Sequence, residues 1–186
     1  MSARGAVAEA GEEREAAAPV LARVADGVAT LTLNRPNAAN SIDAALARAF
    51  RRAIAELDAD SGVRALVIEG AGKMFCAGGD LASFAREGQR VAGYVEALIA
   101  DLHAALQQLA AFHAPVIAAV HGAAAGAGLG LALATDIIIA DESSRFVMAY
   151  TKSGLTPDGG TSWTLPRAVG LRQALMLTLL NRTVTA

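Results

Sequence analysis

The chain has 186 residues, enough for one domain with a sizeable core, and 54% of them are hydrophobic. Its 16 Lys and Arg against 18 Asp and Glu leave a formal net charge of −2, and no basic stripe interleaves with aromatics, so nucleic acid is not an expected partner. The single cysteine, Cys76, excludes an internal disulfide and fits a reducing compartment, so a cytoplasmic location is expected.

Residues 1–19 carry Glu9, Glu12, Glu13 and Glu15 and lack the apolar segment of a secretory signal; they read as a disordered tail ahead of one core domain over 20–186. Val20 to Val24 and Val28 to Leu33 read as a hairpin around Asp26-Gly27. Pro36 ends the second strand because it has no N–H for a ladder. Asn40 or Ser41 is the expected cap of a helix that buries Leu46, Phe50, Ile54 and Leu57. Val63 to Glu69 is the next strand, followed by a glycine loop, a short helix and a longer one over about Val91 to Phe112, with Leu98, Leu102, Leu106 and Leu109 inward. Pro115 starts another strand, and a second glycine loop opens a helix through Thr135. Asp136 to Ala140 reads as a buried strand, Arg145 to Met148 as a short one, Gly154 to Gly160 as a loop and Leu171 to Leu180 as a final apolar helix. Strands alternating with helices predict an α/β fold with largely parallel pairing. No uninterrupted apolar run reaches the roughly 20 residues of a membrane span; Ala114 to Ala134 is broken by glycines and by His121.

The two glycine loops carry the chemistry. Phe75-Cys76-Ala77-Gly78-Gly79-Asp80 follows one apolar strand, and Gly122-Ala123-Ala124-Ala125-Gly126-Ala127-Gly128 follows another. Each opens a helix, whose first N–H groups are unpaired and carry partial positive charge. Two such ends converging on one point can hold a developing oxyanion, which suggests chemistry at an acyl carbonyl. Singly, each loop is no more than a strand-to-helix turn. No His, Cys or Asp spacing suggests a metal site.

These segments resemble the crotonase (enoyl-CoA hydratase/isomerase) superfamily, together with Leu31-Thr32-Leu33-Asn34-Arg35-Pro36, Pro115 to Gly122, Thr135-Asp136-Ile137 and Gly154-Leu155-Thr156-Pro157-Asp158-Gly159-Gly160-Thr161. The resemblance runs from about Val20 to the C-terminus. It implies a crotonase-like spiral of ββα units and an acyl-CoA thioester as the bound partner, with coenzyme A part of the substrate and no separate cofactor. It also implies a carbonyl oxygen held by the N–H groups of Ala77 and Ala127, a substrate site that includes Gly78, Gly79, Asp80, Gly128 and Tyr150, and a homo-oligomer, a trimer or dimer of trimers. Family members usually continue beyond the position of Ala186 with a further helical section that closes the acyl pocket, a section this chain is expected to lack.

Two carboxylates do the work in the family's hydratases, and their positions fall here on Gly130 and Tyr150, neither of which moves a proton as a carboxylate does. Asp158 remains. A turn aspartate is its bland reading. The Pro157-Asp158-Gly159-Gly160 pattern resembles enoyl-CoA isomerases, the phenylacetate-pathway group among them, and this implies a single carboxylate that takes a proton from one end of a 3-enoyl thioester and returns it at the other. Two alternatives stay open. One is an aryl-CoA dehalogenase-type hydrolase, with Asp158 as nucleophile and His103 as base. The other is a hydratase-like CoA-ester binding protein without catalytic carboxylates. His103, on the long helix, is otherwise read as a buried and satisfied histidine, and His121 as structural.

Overall fold

Asp26 and Gly27 both take positive φ, 51° and 78°, which the right-handed twist of a two-residue hairpin demands. They join β1 (Val20–Ala25) to β2 (Val28–Leu33) as an antiparallel pair with Ala25 opposite Val28. The computed structural model describes residues 18–186, so the tail expected over 1–19 lies outside the described residues apart from Ala18 and Pro19. After this hairpin comes α1 (Ala44–Asp58).

The rest of the chain repeats the same unit. β3 (Ala65–Gly70) leads to a bridge at Cys76, then to α2 (Leu81–Glu87) and α3 (Val91–Ala110). β4 (Val116–Val120) leads to β5 (Ala123–Ala125) and α4 (Ala127–Leu133). β6 (Ile137–Ala140) leads to β7 (Arg145–Val147), α5 (Thr161–Val169), α6 (Leu171–Leu180) and β8 (Val184–Thr185). The first strand of each unit enters a five-stranded sheet, ordered β1-β2-β3-β4-β6 and parallel beyond the hairpin. The second strands of the later units gather in a smaller sheet, ordered β5-β7-β8, against which Cys76 pairs through Ala124. This is a spiral of ββα units.

Alternation along β2 and β3 buries Leu31, Leu33, Leu66 and Ile68 on one face. The stripes Leu46-Phe50-Ile54-Leu57 on α1 and Leu98-Leu102-Leu106-Leu109 on α3 complete this core. A second apolar cluster joins Leu129, Met148, Tyr150, Leu165, Ala174 and Leu177.

Four readings of the sequence are corrected. The cap of α1 is Asp43, which accepts the Leu46 N–H at 2.8 Å; Asn40 is spent elsewhere, its Oδ1 accepting the Arg35 N–H. The second glycine loop contains a three-residue strand, β5, and its helix stops at Leu133 rather than Thr135. β6 is an edge strand with Ile137 and Ile139 more than half exposed, not a buried strand: its apolar run looked like an interior strand, but among the described residues no strand pairs on its outer side. Helix α5 was not anticipated, because its Pro166 and the glycines beside it mask the helical period. The final helix packs Ala174 and Leu177 inward while Leu171, Leu179 and Leu180 stay exposed.

At the far end of α1, Asp58 meets His113. Asp58 Oδ1 lies 3.0 Å from Nδ1, and Nε2 lies 2.8 Å from the Val63 carbonyl. Both ring nitrogens face acceptors, so the imidazolium form satisfies both. The bonds to Asp58 and Val63 hold the His113 pKa above its ordinary value, and the His113 bonds hold that of Asp58 below its own. A raised histidine stabilises fully below its unfolded pKa of about 6.5 and loses that as pH rises; a depressed aspartate stabilises above about 3.9 and loses that as pH falls. The difference in urea midpoint between the wild type and His113→Ala is therefore expected to be larger at pH 5.5 than at pH 8.5. An equal or larger difference at pH 8.5 contradicts the charged pairing.

Candidate active site

The two glycine loops touch through their backbones. The Cys76 N–H donates to Ala123 O at 3.0 Å, and the Ala125 N–H donates to Cys76 O at 2.9 Å. Behind them α4 lies so close that a Cβ on Gly128 would fall 2.3 Å from the Cys76 carbonyl oxygen. A Cβ on Gly78 would fall 2.7 Å from Ala125 O and 3.4 Å from the Ala127 nitrogen. Gly78 also takes φ 95°, where a side chain is strained. Glycine at both places is therefore a steric requirement of bringing the loops together.

The first loop is fixed from below. Asn40, fully buried, donates from Nδ2 to the carbonyls of Ala71 and Met74. Arg35 reaches Asp80 Oδ2 at 2.9 Å and Asp43 Oδ2 at 3.1 Å, and donates to the Ser41 carbonyl. Asp80 in turn caps α2 through the Ser83 N–H. Burial pushes the Asp80 carboxyl up, but the Ser83 and Arg35 bonds outweigh it and hold it below the usual range. The Cys76 thiol donates to Asn40 O, and burial pushes its pKa to about 12, so no thiolate is offered.

Which amides remain open follows from the pairing. The Ala77 N–H, expected to face the ligand, donates instead to Ala39 O at 3.0 Å. Ile42 pairs with Gly79 as in a parallel sheet, taking Gly78 O and the Asp80 N–H. Gly79, between them, turns its own N–H to the other side. Among the described residues neither the Gly79 nor the Ala127 N–H has a hydrogen-bond partner, and both residues line one cavity of about 240 Å³. The open amide of the first loop is thus that of Gly79, two residues beyond Ala77. Gly78, at φ 95°, breaks the extended run between Ala77 and Gly79, so their N–H groups leave the loop in different directions.

Asp158 lines the same cavity, as does Tyr150. The Tyr150 hydroxyl donates to Asp158 Oδ1 at 2.8 Å. Burial, then the Asp158 charge, raises the Tyr150 pKa, so the phenol stays protonated and acts as a donor. Gly130 sits beside this pair: a Cβ there would lie 2.9 Å from Thr161 Cγ2 and 3.8 Å from the Tyr150 hydroxyl. The far wall is apolar. Val95, Leu98, Ile99 and Leu102 form one stripe of α3, and Phe84 faces them from α2; the i, i+3, i+4, i+7 spacing makes Val95 and Ile99, not anticipated as lining residues, legible in retrospect.

Three expected site residues lie elsewhere. Asp80 is the cap and ion-pair partner just described, Gly128 serves the backbone contact, and neither lines the cavity. His103 does not line it either; its Nε2 accepts the Gly159 N–H at 3.2 Å. His121 Nε2 bonds the Gly72 carbonyl, a structural contact. Among the described residues no group of three His, Cys, Asp or Glu could hold a metal, and no helix is long and apolar enough to cross a membrane. A larger open hollow of about 1040 Å³, between α1 and α3, is bordered by Arg48, Arg51 and Arg52 and receives none of the loop amides.

A family model described as enoyl-CoA hydratase/isomerase matches residues 23–186. The chain belongs to the enoyl-CoA hydratase/isomerase family. It is 39% identical over 163 residues to the probable enoyl-CoA hydratase of Rhodobacter capsulatus, covering 88% of this chain and 62% of that protein. To the 1,2-epoxyphenylacetyl-CoA isomerase of Escherichia coli it is 40% identical over 175 residues, covering 90% and 64%. A Thermobifida fusca YX protein assigned as an enoyl-CoA hydratase, solved in complex with acetoacetyl-CoA, superposes with a TM-score of 0.83 at 31% identity, covering 94% of this chain and 71% of that one. The chain spans less than two thirds of the length of the two curated relatives.

Gly128→Ala tests the loop contact. In an unobstructed helix interior alanine is favoured over glycine by about 1 kcal/mol. Here the added methyl meets backbone, and overpacking of this kind costs about 1–3 kcal/mol. Calorimetry is expected to show a melting temperature several degrees lower. A higher one contradicts the contact.

Proposed function

We propose that this chain carries the active site of an acyl-CoA isomerase that moves a carbon–carbon double bond by proton transfer. The thioester carbonyl oxygen sits between the Gly79 and Ala127 amides, where the negative charge of an enolate develops. One such donor is worth about 3 kcal/mol to a transition state. Asp158 takes the acidic proton from C2 of a 3-enoyl thioester, the dienolate forms, and the same carboxyl returns the proton at C4, leaving the double bond between C2 and C3. The acyl chain lies against Phe84, Leu98, Ile99 and Leu102. The observation that carries this reading is that, among the described residues, Asp158 is the single carboxylate lining the cavity bordered by both glycine loops.

Tyr150 supports one-carboxylate chemistry. It occupies Asp158 Oδ1 as a donor, leaving Oδ2 to carry the proton. Hydration requires a second group to activate water, and Gly130 offers no side chain for that role. The dehalogenase alternative requires His103 as a free base, whereas its Nε2 is engaged by Gly159. The resemblance to a structure holding acetoacetyl-CoA supports an acyl-CoA thioester as the ligand. The exposed apolar side chains of β6 and α6 support assembly with further copies, for which a trimer is our reading, and a cytoplasmic location is part of the same proposal.

Asp158→Asn keeps the shape and the Tyr150 contact but removes the base. Ultraviolet assay of a 3-enoyl-CoA series is expected to show conversion falling by about two to four orders of magnitude, with acyl-CoA affinity retained by calorimetric titration. Conversion at the wild-type rate removes Asp158 from the chemistry, and binding without turnover by the wild type across 2-enoyl, 3-enoyl and aryl esters favours the non-catalytic reading.

A further inference from the structure

Among the described residues, His103 is the one polar side chain whose hydrogen bond ties the acyl-wall helix to the loop of Asp158, and its role is not that of a base. The peptide unit between Asp158 and Gly159 is held at both of its polar atoms. Its carbonyl, Asp158 O, accepts from the Thr161 N–H at 3.0 Å and from Thr161 Oγ1 at 2.7 Å. Its N–H, that of Gly159, donates to His103 Nε2 at 3.2 Å. The Thr161 bonds are local, three residues along the chain, and close a turn. The His103 bond comes from α3, 56 residues away. Gly159 and Gly160 both take positive φ, 57° and 77°, so the segment after Asp158 has the freedom of two glycines and needs an external anchor to hold one conformation. Gly159 is itself buried, with its Cα side facing Leu106 of α3.

We propose that His103 is a positioning residue that fixes the Asp158–Gly159 peptide and thereby aims the Asp158 carboxylate at the acyl chain. The assignment rests on the reading of Asp158 as the proton carrier. Accepting the Gly159 N–H requires an unprotonated Nε2, so the imidazole is neutral with its hydrogen on Nδ1. In that tautomer the nitrogen nearest the catalytic loop has no proton to give, and its lone pair is occupied. Through the same helix, α3 supplies Leu98 and Leu102 to the cavity wall. One rigid element therefore sets both the face on which the acyl group lies and the carboxylate that must reach it. A misplacement of about 1 Å in such an arrangement costs on the order of 10²-fold in rate.

Two variants of the full chain separate this role from that of a base. His103→Gln places an amide oxygen near the position of Nε2 and keeps an acceptor without a titrating ring; His103→Leu removes the acceptor. His103→Leu is expected to lower kcat on a 3-enoyl-CoA by about tenfold to a hundredfold with KM within about threefold, and His103→Gln to recover most of that loss. In the Asp158→Asn background His103→Leu is expected to cost nothing further. Two readouts need no turnover. Nitrogen-15 spectra of the wild type are expected to show His103 as the Nδ1–H tautomer, and hydrogen exchange at the Gly159 amide is expected to quicken in His103→Leu and not in His103→Gln. The proposal is overturned if His103→Gln is as impaired as His103→Leu, if His103→Leu is fully active, or if the ring carries its proton on Nε2. An Asp158→Asn variant that keeps the wild-type rate would instead overturn the underlying reading of Asp158, whatever the tautomer of His103.

Discussion

Backbone must touch backbone where the two glycine loops meet, and the rest of the molecule is arranged to permit it. Gly128 allows α4 to rest on the Cys76 carbonyl, and Gly78 allows the first loop to pass beside Ala125 and Ala127. A side chain at either place would separate the loops. Open N–H groups at a helix start are ordinarily solvated, and holding two of them around one cavity uses fixed dipoles instead of mobile water. The cost is met in the layer beneath. Asn40 holds the carbonyls of Ala71 and Met74 leading into the loop, and Arg35 ties Asp80 at its end to Asp43. Such a buried network stabilises only when each member is paired, which is why Asp80 belongs to the foundation rather than to the substrate surface.

Chemistry at this site is limited by how many proton carriers it has. A carboxylate at position 130 would have to displace the Thr161 methyl and approach the Tyr150 hydroxyl. Tyrosine fills that volume with a group that remains protonated. A carboxylate beside a carboxylate would raise the pKa of one of the pair; a phenol beside Asp158 donates a hydrogen bond to Oδ1 and brings no second charge. On the proposed isomerase reading, this arrangement leaves one base to take a proton and give it back.

Much of this was legible in the chain. The Asp26-Gly27 hairpin, the apolar stripes of α1 and α3 and the two glycine loops each announce themselves through a local rule, and the long-range meeting of the loops follows from small residues at both. The errors share a cause. Ala77 and Gly79 differ in where their N–H groups go, and that is decided by pairing of the loop with Ala39 and Ile42, 38 and 37 residues away in sequence. Asn40 is a good cap by type, yet its side chain is taken by carbonyls at 71 and 74. The exposure of β6 depends on what lies beyond the edge of the sheet, which no local pattern encodes. The role of His103 likewise depends on a partner 56 residues distant. Local propensity is read from neighbours along the chain; the allocation of hydrogen bonds is settled by neighbours in space.

The Gly79 and Ala127 amides are proposed to polarise a thioester carbonyl. This polarisation is tested most directly on a ligand that cannot turn over, a saturated acyl-CoA labelled with carbon-13 at the thioester carbonyl. On binding, the carbonyl resonance is expected to move downfield and the carbonyl stretch to fall in frequency. Both changes are expected to persist in Asp158→Asn, because the amides and not the carboxylate cause them. Saturable binding with an unshifted carbonyl, in resonance and in stretch, would contradict the account.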